Sequence, residues 1–180
     1  MRLDPNRAGQ AYALTVIAPI VPGEERALRT YLHELHTSPL AKLPRTHFGR
    51  WVVVSQIAAE SSQRRPRRLP AAQLVFSVSF DGARDSYLDE LCEHAAEDAF
   101  AIWGRCGGSG SARGDELKAY LLRHQVRTGL FFAAYADATV QRVRRAVDRR
   151  ERLVAFAMRA QSMSDAELRR GFLDEFAASR

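Results

Sequence analysis

The sequence predicts an α+β domain, a βαββαβ antiparallel sheet with helices on one face, plus additional C-terminal helices. Three observations carry this. Leu74 to Phe80 alternate: Leu74, Phe76, Val78 and Phe80 point one way and Val75, Ser77 and Ser79 the other, the pattern of a half-buried strand. Two apolar runs end in Pro22-Gly23 and Asp81-Gly82, and each turn leads into a stretch of helical period. Beyond Thr139 the apolar residues Val140, Val143, Val147 and Val154 keep helical spacing in an arginine-rich background.

The first strand is expected over Tyr12 to Ile20, where β-branched residues are bounded by prolines. Glu24 and Glu25 then suit the first turn of a helix, since negative charge there opposes the dipole. Leu28, Tyr31, Leu32 and Leu35 form its apolar stripe, and the helix should stop before Pro39. The second strand is expected over Thr46 to Ile57 and the third over Leu74 to Phe80. Between them, Ala58 to Ala72 carries two arginine pairs and little to bury, and reads as a loop. A helix over Arg84 to Trp103 buries Leu88, Leu91, Cys92, Ala95, Ala99 and Ile102. Gly104 to Asp115 reads as a glycine-rich loop, Glu116 to Arg123 as a short helix and Gln125 to Tyr135 as the fourth strand. In the last helix Ser164 and Glu167 have capping-box spacing, with Met163 and Leu168 placed as a staple. The expected domains are residues 1–158, with mobile loops at 58–72 and 104–115, and a helical appendage at 159–180.

Composition bounds the function. No apolar run reaches the roughly 18 residues of a membrane span, and Met1 to Arg7 lacks the apolar centre of a secretory signal. Cys92 and Cys106 make neither a disulfide framework nor a metal cluster. The expectation is a cytoplasmic protein without membrane association. The net charge is +6, concentrated at Arg64 to Arg68 and Gln141 to Arg152. Its ordinary reading is solvated surface, and its sharper one an acidic partner. Nucleic acid is an unlikely partner: the third strand offers Ser77 and Ser79, not stacking aromatics, to its open side.

The order of elements resembles the ferredoxin-like superfamily, and within it the dimeric α+β barrel group, over roughly residues 11 to 158. That group includes small monooxygenases, haem-degrading enzymes and dye-decolourising peroxidases. The resemblance implies an open sheet face covered by the partner subunit of a homodimer or by an appended element, with a ligand between cover and sheet. The peroxidases' Gly-x-x-Asp-Gly haem motif is broken here, because Val78 stands ahead of Asp81-Gly82 where the first glycine belongs. No catalytic residue carries over, so the catalytic set is unknown.

The candidate ligand-binding residues are Arg50, Arg127, His47, Ser77, Ser79, Trp51 and Tyr135. Arg50 and Arg127 interrupt apolar strands, where an arginine is costly unless paired or solvated. Such a residue anchors a carboxylate or phosphate, or simply snorkels outward. Ser77 and Ser79 face the open side, and Trp51 and Tyr135 are potential pocket walls that serve equally as packing. Alternation does not decide which face of the second strand is buried. His47 and His124 each precede a strand, and strands of equal direction would put both at one end of the sheet. Each is a candidate haem ligand, although a histidine there commonly caps a loop; no other metal site is expected. Cys106, beside Arg105 among glycines, reads as an exposed thiol of lowered pKa. The function that follows is a small-molecule-binding α+β barrel protein, with haem or oxidoreductase chemistry as its cofactor expectation. The alternative is a noncatalytic module contacting a partner enzyme through the C-terminal helix.

Overall fold

The computed structural model describes residues 4–58 and 66–176. Residues 59–65 of the expected 58–72 loop, including Arg64 and Arg65 of the expected basic patch, lie outside them. The described chain forms two compact units that divide between Val140 and Gln141. No helix among the described residues is long and apolar enough to cross a membrane.

The first unit is a five-stranded antiparallel sheet with helices packed on one face. Its strands are β1 (Arg7–Ala8), β2 (Ala11–Pro19), β3 (Thr46–Ile57), β4 (Arg67–Asp81) and β5 (Gln125–Val126). The hydrogen-bonded order is β1-β2-β4-β3, and β5 also pairs with β2. Side chains alternate across each strand. Leu14, Val16, Leu74, Phe76, Val78 and Phe80 are therefore buried toward the helices, and Ala13, Thr15, Val75, Ser77 and Ser79 turn to the other face.

The helices of this unit are α1 (Glu25–Glu34), α2 (Arg84–His94), α3 (Ala96–Trp103) and α4 (Gly114–Arg123). Gly23 and Gly82 precede α1 and α2 at φ +94° and +93°, a conformation that costs glycine little. Tyr87 of α2 stacks on Phe80 with ring centroids 3.8 Å apart, and Trp103 of α3 meets Phe76 edge-on at 5.2 Å. Such aromatic pairs add to the roughly 2–3 kcal/mol of burying each side chain.

Several expectations are corrected. The 84–103 helix breaks at Ala95, whose φ of −118° and ψ of 26° leave the helical region. The third strand begins at Arg67, because Arg67 and Arg68 pair with Ile57 and Gln56. Pro70, which has no N–H to give, falls in the register shift that follows. Cys106 is 1% exposed, not a surface thiol: it bridges to Ile20, while Gly107 donates to the Pro19 carbonyl at 2.7 Å. Burial pushes the Cys106 thiol up to about 12.

The largest correction concerns the fourth strand. Only Gln125 and Val126 pair, with Val16 and Thr15. The Asn6 side chain then captures the Thr128 N–H at 3.0 Å, and the chain leaves the sheet edge as an irregular strap over residues 127–139. Gln10 N–H donates to the Ala136 carbonyl at 2.8 Å and returns the strap to the sheet. Gly9 permits this approach: a Cβ there would lie 2.5 Å from the Ala136 oxygen.

The second unit is a helical hairpin, α5 (Val140–Ala160) and α6 (Asp165–Phe176). Half of the capping box at its turn forms: Ser164 N–H donates to the Glu167 carboxylate at 2.9 Å, and the Ser164 hydroxyl donates to the same carboxylate at 2.7 Å. Phe156 lies against Gly171 and makes edge contacts with Phe172 and Phe176 at 6.0 and 5.8 Å. Along α5, Val143, Val147, Val154 and Met158 stay exposed.

Candidate functional site

The site is built on the sheet face that carries no helices of the first unit. Pairing settles which side of β3 points there. Trp51 lies opposite Phe76 and stacks on it at 5.1 Å, so Trp51 belongs to the core. Phe48, Arg50 and Val52 therefore take the open face, opposite Ser79, Ser77 and Val75. Gly49, on the core side, leaves room for Leu40 of the 3-10 turn Pro39–Lys42.

Two adjoining hollows occupy this face. The larger, about 520 Å³, is lined by Ala13, Phe48, Gly49, Arg50, Ser77, Val78, Ser79 and Phe131. The smaller, about 290 Å³, shares Phe48, Ser79 and Phe131 with it and adds His47 and strap residues 132–135. Strand and strap thus form the two sides of one groove. Its lining side chains are apolar except for the Ser77 and Ser79 hydroxyls, the Arg50 guanidinium, the His47 ring and the Tyr135 hydroxyl. Both sides are unusually exposed: Phe48 of β3 and Phe132 of the strap keep 80% of their surface, Tyr135 83% and Leu130 87%.

The candidate residues divide. Arg50, Ser77 and Ser79 meet in the larger hollow, and His47 and Tyr135 in the smaller. Trp51 is on the other side of the sheet. Arg127 is exposed just past the end of β5 and lines neither hollow. The exposed Arg50 side chain makes no hydrogen bond or ion pair among the described residues.

The two histidines are not neighbours. β3 and β5 run in opposite directions, since β3 is antiparallel to β4, β4 to β2, and β5 to β2. His47 follows Thr46, which reaches Tyr12 through Phe80, whereas the His124 carbonyl accepts the Ile17 N–H. Five residues of β2 separate those levels, about 17 Å. A bulge between Thr46 and Phe48 turns His47 toward Asp81, and its Nε2 lies 2.8 Å from the Asp81 carboxylate. The other oxygen of that carboxylate accepts the Val140 N–H at 2.7 Å. His124 stacks on Tyr120 with centroids 4.2 Å apart, and its Nδ1 lies 3.0 Å from the Tyr120 carbonyl. Both rings are thus already engaged at one nitrogen, and no group of three metal-ligating side chains occurs among the described residues.

Sequence reasoning passed over Asp81, read there as a turn residue, and the part of Phe132 and Phe131 in the wall. The available signal was the density of aromatics in 131–135 beside a glycine. No protein-family model, curated protein or solved structure matches this chain.

Proposed function

We propose that this protein binds a small, largely apolar molecule in the groove between the open sheet face and the strap. One observation carries the reading: an arginine whose side chain has no partner among the described residues stands, with the Ser77 and Ser79 hydroxyls, in a largely apolar hollow of about 520 Å³, the size range of small-molecule sites. Arg50 is solvent-exposed, and its open-face neighbours in the hollow are Phe48, Ser77, Ser79 and Phe131. The antiparallel order, with β2 and β4 central, fits the ferredoxin-like topology, and in that topology an open face is covered by a second subunit.

A homodimer belongs to the same reading. Phe48, Leu130, Phe132 and Tyr135 together leave on the order of 600 Å² of apolar side chain in water, at the limit of what monomers usually expose. Two such faces would bury roughly 1,200 Å², the lower bound of specific interfaces. Haem is the less favoured occupant, since each histidine already has a partner.

The test uses the neutral apolar dye 1-aminoanthracene with the full chain. Saturable fluorescence enhancement is expected, and Ser79→Trp, which fills the groove from an open-face position, should abolish it while the circular dichroism stays native. Equal enhancement in both proteins would contradict the reading.

A second reading, a noncatalytic interaction module, draws on α6. Leu168, Phe172 and Leu173 are 39%, 46% and 49% exposed around a shallow hollow with Asp165 and Arg169. Leu168→Asp together with Leu173→Asp should then release a co-purifying partner and leave dye binding intact.

A further inference from the structure

The groove also has a polarity, and from it, resting on the ligand-binding reading above, we infer that the ligand is a monoanionic amphiphile with its carboxylate on Arg50 and its apolar body along the strap. Arg50 lines only the larger hollow, at one end of the groove. The other end is lined by Phe132, Ala133, Ala134 and Tyr135, with Ala11 in the floor, and is open to solvent. Among the described residues the other ionisable side chains in the lining are His47, whose Nε2 is taken by Asp81, and the Tyr135 phenol, so Arg50 is the one guanidinium there.

The charge count selects the headgroup. One guanidinium matches one carboxylate through two parallel hydrogen bonds. A phosphate monoester or a nucleotide carries more charge and calls for further cations, which the lining does not supply. Ser77, opposite Arg50 in the β3–β4 register, adds a hydroxyl donor beside the same headgroup. Beyond Ser79 the lining side chains are mostly carbon, with the His47 ring and the Tyr135 hydroxyl as the polar groups, and so favour an alkyl or aryl chain over a sugar or peptide.

The test compares dodecanoate with dodecanol, below their micelle concentrations, as competitors of bound 1-aminoanthracene on the full chain. Dodecanoate should displace the dye at about tenfold lower concentration than the alcohol. In Arg50→Gln that ratio should fall to near one, and Arg50→Lys should retain part of it, because a point charge replaces the guanidinium fork. Equal potency of acid and alcohol on the unaltered chain, or an unchanged ratio in Arg50→Gln, would overturn the headgroup assignment while leaving the groove as a binding site. If the dye binds Ser79→Trp as well as it binds the unaltered chain, the ligand-binding reading itself falls and this inference with it.

Discussion

His47 and Asp81 are joined by a 2.8 Å contact from Nε2 to the carboxylate, and the same carboxylate holds the Val140 N–H at 2.7 Å. One side chain, 8% exposed, thereby fixes a wall of the groove and the far end of the strap. Asp81→Ala should lower stability by about 2–3 kcal/mol, because it leaves a buried N–H without an acceptor. Asp81→Asn should cost less than half as much, since its amide oxygen can still accept from Val140 while its NH2 donates to His47. Urea unfolding of the two variants checks the order, and amide hydrogen exchange at Val140 should accelerate only in the alanine variant.

Gly9 tests the strap by itself. Its φ of +59° already disfavours a side chain, and an added Cβ would press on the Ala136 carbonyl at 2.5 Å. Gly110 has a similar φ of +53° with nothing within 4 Å. Gly110→Ala should therefore show the backbone cost alone, about 1 kcal/mol. Gly9→Ala should exceed that and also weaken dye binding, because the strap must move. Equal stability losses and equal dye binding in the two variants would contradict the account.

The strands show how far the sequence alone reaches. Leu74 to Phe80 and Tyr12 to Ala18 reveal their buried faces by alternation, because each turns one side to the helices. Thr46 to Val54 does not: Trp51 and Phe48 are both large and apolar on opposite faces. Only pairing with Phe76 decides that Trp51 is core and Arg50 is not. The apparent strand at Gln125 to Tyr135 has the right composition, yet a hydrogen bond from Thr128 to Asn6, 122 residues away, ends it. No local pattern contains that partner. For the same reason the Asp81 partner of His47 is not legible locally, since the His47 bulge is defined by the register of β3 against β4.

The thiols give a chemical test of the core. Burial pushes Cys106 up to about 12 and Cys92 up to about 11. Both stay protonated at pH 8, so neither should react rapidly with 5,5′-dithiobis(2-nitrobenzoate) in the native protein. Both should react in guanidinium chloride. A fast native reaction at Cys106 would mean that the 104–115 segment does not pack against Pro19 and Ile20.

Alkaline titration follows from three phenols. Burial is the leading cause that pushes Tyr31, Tyr87 and Tyr120 up to about 12, with the Asp98 carboxylate adding to it at Tyr31. A raised folded pKa means that the folded state keeps protons the unfolded chain has lost. Their contribution to stability is thus complete below pH 10 and disappears between pH 10 and about 12. Absorbance of the phenolate should show three of the five tyrosines ionising late or together with unfolding. At the acid end, hydrogen bonds from Lys42 and Tyr31 hold Asp98 below the usual carboxylate range. Its stabilisation is present above the unfolded value near 4 and lost as the pH falls further. Asp98→Asn should flatten the acid limb of the stability profile.

The central claim is that a ligand occupies the groove between the open sheet face and the strap, and amide chemical-shift mapping tests it most directly. Titrating the full chain with 1-aminoanthracene should move the amides of Ala13, Phe48 to Arg50, Ser77 to Ser79 and residues 131–135, and leave those of α6 in place. Shifts confined to Leu168 to Leu173, or no saturable shifts at all, would contradict it.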